Sequence, residues 1–164
     1  MAAKRFRRQP EEILGLLRAS ASEANRQGMA RFGIDISTAL GVSMPQIRQH
    51  AGATQPDHQL AERLWASRIH EARILAALVD RPKWVDEAQM DRWTAEFDSW
   101  DLCDQVCGNL WDRTPFAQRK IAHWAKDERT FVRRAAFATL AWLAVHRKEL
   151  ADAEKVAEKG YAEA

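Results

Sequence analysis

The sequence predicts an all-α fold in which antiparallel helix pairs stack into a solenoid. Three observations carry this. No stretch alternates apolar and polar residues with the period of two that a half-buried strand requires; apolar residues recur at helical spacing instead. Turn signals are brief, so the helices are short and closely joined. Trp65, Trp93 and Trp124 each fall near the end of one segment, just before the next, at separations of 28 and 31 residues. A loose repeat of that length fits helix pairs that bury their apolar faces only by stacking. An irregular helical bundle is the alternative.

Each element has a local reason. Pro10 followed by Glu11 and Glu12 starts a helix, with carboxylates at the positive end of its dipole, and Ile13, Leu14, Leu16 and Leu17 give it an apolar face. A second helix covers Glu23 to Arg31 and stops at Gly33. Ser43 caps a third through Ile47 and Arg48, with Pro45 in its first turn. Asp57 caps the next, which carries Leu60, Leu64 and Trp65; another runs from about Ile69 to Val79 and closes before Pro82. Asp86 caps a helix carrying Met90, Trp93 and Phe97, and Ser99 starts one carrying Trp100, Cys103, Cys107 and Leu110. Thr114-Pro115 opens a helix with Phe116, Ile121 and Trp124. Thr130 opens a long one through Trp142 and Val145, and a last polar helix spans about Leu150 to Lys159. Trp100 follows Trp93 by seven residues and Phe131 follows Trp124 by seven, so the second helices of successive pairs start in register. Ile69-His70-Glu71-Ala72-Arg73 fills the same slot in the preceding pair.

A chain of 164 residues suits one domain, 1–164, with a sizeable core. Seven Gly and five Pro exclude collagen-like and low-complexity readings. No apolar run nears the roughly 18 residues of a membrane span, and the first thirty residues lack a signal-peptide core, so a cytoplasmic location is expected, nucleoid-associated if the source is bacterial. Two cysteines are too few for a disulfide scaffold.

The formal charge of +2 hides a strong partition. Residues 1–54 carry +4, 55–111 carry −5, 112–148 carry +6 and 149–164 carry −3. Two basic blocks that could grip an anion thus flank an acidic middle. Solvated helix faces are the plainer explanation.

Candidate chemistry is sparse. Trp100 and Asp104, four residues apart, share a helix face and could together favour a cation, the ring by its face and the carboxylate by its charge; a core tryptophan beside a solvated acid is the other reading. Arg133 and Arg134, with Arg129 and Lys126, cluster at a helix start, which suits phosphate. Next to Ala135-Ala136-Phe137, one of the two adjacent arginines would lie half-buried and need an anionic partner. Cys103 and Cys107 read as buried packing residues, His70 as a structural contact across the repeat, and His123 and His146 lack ligand-like partners, so neither metal nor cofactor is expected. No Gly-rich phosphate loop or Gly-x-Ser-x-Gly elbow is present.

Three segments together are distinctive: Leu64-Trp65-Ala66-Ser67-Arg68-Ile69-His70-Glu71-Ala72-Arg73, Ser99-Trp100-Asp101-Leu102-Cys103-Asp104, and Phe131-Val132-Arg133-Arg134-Ala135-Ala136. In that order and spacing they resemble the DNA alkylation repair (AlkD-like) family. Gly41-Val42-Ser43-Met44-Pro45-Gln46-Ile47-Arg48 resembles its N-terminal Gly-x-x-x-Pro-x-x-Arg stretch, and the likeness runs from about residue 10 to 150. The resemblance implies a HEAT-like α-solenoid with a basic concave face for DNA. It also implies a monofunctional glycosylase that removes alkylated purines without flipping them out of the duplex.

On the same resemblance, Trp100 packs on the lesion-bearing sugar, Asp104 is the catalytic carboxylate and Arg134 lies beside the lesion; Arg133 has no such counterpart and, with Arg129 and Lys126 of the same cluster and Arg48 of the N-terminal stretch, is a candidate for contact with DNA. Chemical logic agrees. A purine alkylated at N3 or N7 is cationic and leaves an oxocarbenium-like sugar, which a carboxylate stabilises and toward which it can direct water. Against the family pattern the chain looks one or two helical hairpins short, lacking an aromatic that completes the lesion site. An open end repeat should then expose apolar surface, with association through that end or a frayed C-terminal helix as the result. Two functional classes follow: an alkylpurine glycosylase acting on duplex DNA, or a non-catalytic HEAT-repeat module that binds DNA or a protein. An unrelated helical scaffold is a third.

Overall fold

The computed structural model describes residues 5–162, and side chains for residues 5–148. Among the described residues there are nine α-helices: α1 (Pro10–Ala19), α2 (Glu23–Arg31), α3 (Met44–Gly52), α4 (His58–Ala66), α5 (His70–Val79), α6 (Glu87–Ala95), α7 (Trp100–Asn109), α8 (Ala117–Trp124) and α9 (Thr130–Ala162). The one β feature is an isolated bridge between Phe6 and Thr54.

The predicted caps act as drawn. Asp57 and Asp86 accept from the backbone N–H three residues on, at 3.0 and 2.7 Å, each satisfying an orphan donor of the first turn. Ser43 and Gln46 form a capping box at the start of α3. Gly33, at φ 73°, ends the turn after α2 in a conformation that side-chain-bearing residues rarely adopt.

The helices form two layers. One contains α4, α6 and α8. The other contains α3, α5, α7 and α9, which run parallel and pack edge to edge. A single apolar core continues from Ile13 on α1 to Ala136 on α9. The repeat tryptophans build the first layer. The rings of Trp65 and Trp93 stack 4.1 Å apart, and Trp93 meets Trp111 at 5.6 Å. Such contacts add roughly 0.5–1.5 kcal/mol per pair beyond the area they bury. Two of the indoles also donate to carboxylates of the α6 repeat: Trp65 to Glu96 at 3.1 Å and Trp124 to Asp91 at 3.0 Å. Ion pairs join the same surfaces, Glu62 with Arg92 and Asp91 with Lys120.

The structure differs from the expectation in four places. The helices assigned to Thr130–Val145 and Leu150–Lys159 are one continuous helix, α9. Nothing between them breaks a helix: His146-Arg147-Lys148-Glu149 contains no Pro, Gly or capping residue. The side chains of Val156 and Tyr161 lie outside the described residues. Phe97 sits past the end of α6, buried in the link to α7 and edge-on to Trp65. Phe116 precedes the first turn of α8 rather than lying within it. Two 3-10 turns, Pro82–Trp84 and Trp111–Arg113, fill the links after α5 and α7.

Candidate functional site

The site begins with a close approach of two backbones. Small residues line the contact between α7 and α9: Cys103, Cys107 and Gly108 on one side, Ala135 and Ala136 on the other, all buried. The two thiols donate across it, Cys103 to the Phe131 carbonyl at 3.7 Å and Cys107 to the Ala135 carbonyl at 3.6 Å. Hydrogen bonding to Cys107 and burial push the Cys103 thiol far above its ordinary pKa, so it stays an unreactive packing group. The indole of Trp142 on α9 closes directly over Gly108.

That approach brings Asp104 and Arg134 together. The guanidinium forms a two-pronged pair with the carboxylate, Nε to Oδ1 at 2.8 Å and Nη2 to Oδ2 at 2.7 Å. The hydrogen bond from Arg134 to Asp104 raises the Arg134 pKa, so the guanidinium is firmly charged. Each Asp104 oxygen retains lone-pair capacity for another donor. Both groups are partly open to solvent, so the pair contributes only about 0.5–1 kcal/mol to folding. Its main effect is to orient the carboxylate.

Trp100 opens α7 one turn before Asp104 and is 38% exposed, so the core reading of this residue is excluded. Its indole N–H donates to the Phe32 carbonyl at 3.0 Å, which fixes the ring at the site's edge. The Arg134 guanidinium lies 6.0 Å from the Trp100 ring centroid, at the limit of a cation–π contact. An aromatic face, a carboxylate and a fixed cation therefore share one open patch on the parallel helix layer.

Buried contacts brace this patch. His70 on α5 and Asp101 on α7 bond at 2.8 Å, as expected of a contact across the repeat. Burial opposes a charge on His70, yet the hydrogen bond and charge of Asp101, with Glu71 and Asp98, raise its pKa above the ordinary value. Glu71 is buried and takes the N–H groups of Leu40, Gly41 and Val42. Gly41 has φ 77°, and a Cβ there would sit 2.1 Å from the Ser22 carbonyl oxygen, so the connection from α2 to α3 needs glycine. Glu71 thus ties down the loop that carries Phe32 to Trp100.

The other sequence-named residues divide. Arg129 is engaged by Asp127, at 2.9 and 2.7 Å, which holds that carboxyl well below the usual range. Arg133 reaches the Asp127 carbonyl at 3.3 Å, and Lys126 is exposed on the turn before α9. These three lie beside the N-terminus of α9, at the same edge as Trp100. Arg48 does not join them. It borders a depression at the C-terminal ends of α3 and α5, with Arg5 and Arg81, roughly one helix length away. Sequence reasoning missed Arg5, Arg81 and the bracing Glu71, because chain distance gives no sign of their proximity. Among the described residues, no three His, Cys, Asp or Glu side chains are grouped to hold a metal ion, and no helix is long and apolar enough to cross a membrane.

A solved structure described as "A new family of proteins related to the HEAT-like repeat DNA glycosylases with affinity for branched DNA structures" aligns with a TM-score of 0.76 and 21% identity. The alignment covers 83% of this chain and 57% of that one, and it shows the shared HEAT-like helical fold. The chain thus spans just over half the length of that structure. No curated protein matches the sequence. A family model described as "DNA alkylation repair enzyme" matches residues 13–163, nearly the whole chain. The chain belongs to the DNA alkylation repair enzyme family.

Proposed function

We propose that this protein hydrolyses the N-glycosidic bond of cationic N3- or N7-alkylated purines in duplex DNA, without flipping the base, and acts inside the cell. The observation that carries the reading is the open patch in which Arg134 orients Asp104 beside the exposed face of Trp100. The bond to C1′ breaks with its electron pair leaving on the purine, which departs neutral. The sugar becomes oxocarbenium-like, and the Asp104 carboxylate and the Trp100 face stabilise that charge. Water adds at C1′, and its proton passes to Asp104 or to solvent. Exposed Arg133, and Lys126 on the turn before α9, supply a basic edge for phosphates, while Arg129 and Arg134 contribute less because Asp127 and Asp104 pair with them.

The test is release of methylated base from methylated duplex DNA. Asp104→Asn keeps the shape and removes the charge, and a drop in release of about 100-fold or more is expected. Equal release by wild type and Asp104→Asn sinks the catalytic reading.

A second reading is a non-catalytic DNA-binding module. It is favoured by the ion pair itself, which partly neutralises Asp104, and by the described affinity of the solved neighbour for branched DNA. Binding with no base release by wild type would select it. We further propose self-association through α9, where Phe137, Leu140 and Val145 are exposed at helical spacing.

A further inference from the structure

Away from Trp100, at the opposite edge of the parallel helix layer, three arginines converge. Arg5, Arg48 and Arg81 line a depression of about 230 Å³ with Ala51, Thr54 and Leu78 among its walls, and no carboxylate lines it. The space exceeds that of a single water, about 30 Å³ in the liquid. Several other arginines are ion-paired: Arg26 with Glu23, Arg73 with Glu96, Arg92 with Glu62 and Arg134 with Asp104. Among the described residues, Arg5, Arg48 and Arg81 have no ion pair. Three like charges around one hollow repel one another unless an anion joins them. The nearest acid in sequence, Asp80, is buried and occupied by His58, Gln89 and the Arg81 backbone N–H.

The hollow continues into an aromatic shelf. Arg81 and Pro56 also line a second depression, of about 510 Å³, completed by Pro82, Lys83 and Trp84. Trp84 is 40% exposed, and it borders a third, of about 460 Å³, beside Pro56 and Asp57. Asp57 is spent on capping α4. The Lys83 ammonium lies 5.4 Å from the Trp84 ring centroid. A guanidinium cluster next to an open indole suits a phosphodiester next to an unstacked base. A duplex keeps its base faces in the stack, so an aromatic shelf of this kind serves single strands.

We propose that Arg5, Arg48, Arg81 and Trp84 form a second nucleic-acid site, one that holds single-stranded DNA with a phosphate among the arginines and a base on Trp84. The site is offset from Trp100 by about 15 Å along the helix axes alone, since the ten-residue α5 separates the two edges at ~1.5 Å per residue. The inference rests on the DNA-binding part of the proposed function and is independent of base release. A protein carrying both sites would hold a duplex at one edge and an unpaired strand at the other.

The test is fluorescence anisotropy with a labelled single-stranded oligodeoxynucleotide and with the same sequence as a duplex, across a salt series. Wild type is expected to bind the single strand. Arg48→Gln/Arg81→Gln should weaken that binding at least tenfold at low salt. It should also lower the slope of log K against log salt by about 0.7, the value for one lost phosphate contact on a single strand. Trp84→Ala should weaken it about 5- to 100-fold, and Trp84→Phe should retain most of it. Circular dichroism melts identify any variant that has lost its fold, and the Trp84→Phe/Arg81→Gln pair then serves in its place. The proposal is overturned if the folded variants bind the single strand within twofold of wild type. It is equally overturned if wild type prefers an acidic peptide and ignores the oligonucleotide. Single-strand binding that persists when methylated duplex yields no base would support this site while removing the glycosylase reading.

Discussion

Glu71→Gln separates fold from site most sharply. Glu71 is 1% exposed. Its Oε1 accepts from Leu40, Gly41 and Val42 at 3.0, 2.7 and 3.2 Å, and its Oε2 from Leu40 at 2.9 Å. Glutamine keeps the shape. Its carbonyl can take the place of Oε1, but its NH₂ then faces the Leu40 N–H, donor against donor. Each surviving bond falls from a charge-assisted value of about 1.5–3 kcal/mol to a neutral one of about 0.5–1.5, a loss of roughly 1 kcal/mol apiece. Three bonds give about 3 kcal/mol, and the lower cost of burying a neutral amide returns part of it. The expected net loss is about 2 kcal/mol. With a urea m-value of about 2 kcal/mol per molar, the midpoint should fall by about 1 M. The loop that presents Phe32 to Trp100 should loosen as well, so the Leu40, Gly41 and Val42 amides should exchange faster with solvent. A loss under about 0.5 kcal/mol, with amide protection unchanged, would refute the view that Glu71 organises this loop.

Three further outcomes are expected. The His70–Asp101 pair should stabilise the fold most fully between the ordinary values of 3.8 and 6.5. Its contribution fades as pH rises through the raised pKa of His70, and as pH falls through the lowered pKa of Asp101. The stability difference between wild type and Asp101→Asn should therefore shrink as pH rises above the ordinary histidine value of 6.5, and a constant difference would contradict the pairing. Gly108→Ala would place a Cβ 2.5 Å from the Trp142 indole and should cost about 1–3 kcal/mol. Adding Trp142→Ala should make Gly108→Ala less damaging than it is alone, and thermal melts of the two would show whether the clash is the cause. Replacing Phe137 and Leu140 on α9 by serine should reduce self-association in sedimentation velocity, whereas a wild type that stays monomeric at high concentration would dismiss it.

Much of this architecture is readable one segment at a time. Asp57, Asp86 and Ser43 announce helix starts because a cap bonds within three residues of itself. The buried Cys103 and Cys107, four residues apart, share a face of α7 because helical spacing dictates it. The break expected before Leu150 is absent for the matching reason: no residue there stops a helix.

The candidate site divides along the same line. Spacing puts Trp100 and Asp104 on one face, and the adjacent arginines of α9 suggest that one needs an acid. Which arginine finds which acid depends on how closely α7 and α9 approach, and that distance is set by the small side chains between them. Long-range meetings are invisible along the chain for this reason: Arg134 reaches Asp104 across 30 residues, Glu71 reaches Leu40 across 31, and Trp100 reaches Phe32 across 68. Local chemistry settles where helices begin, where they end and which face is apolar. Packing settles which charges are neutralised, as Arg129 is by Asp127, and which stand together without an ion pair among the described residues, as Arg5, Arg48 and Arg81 do.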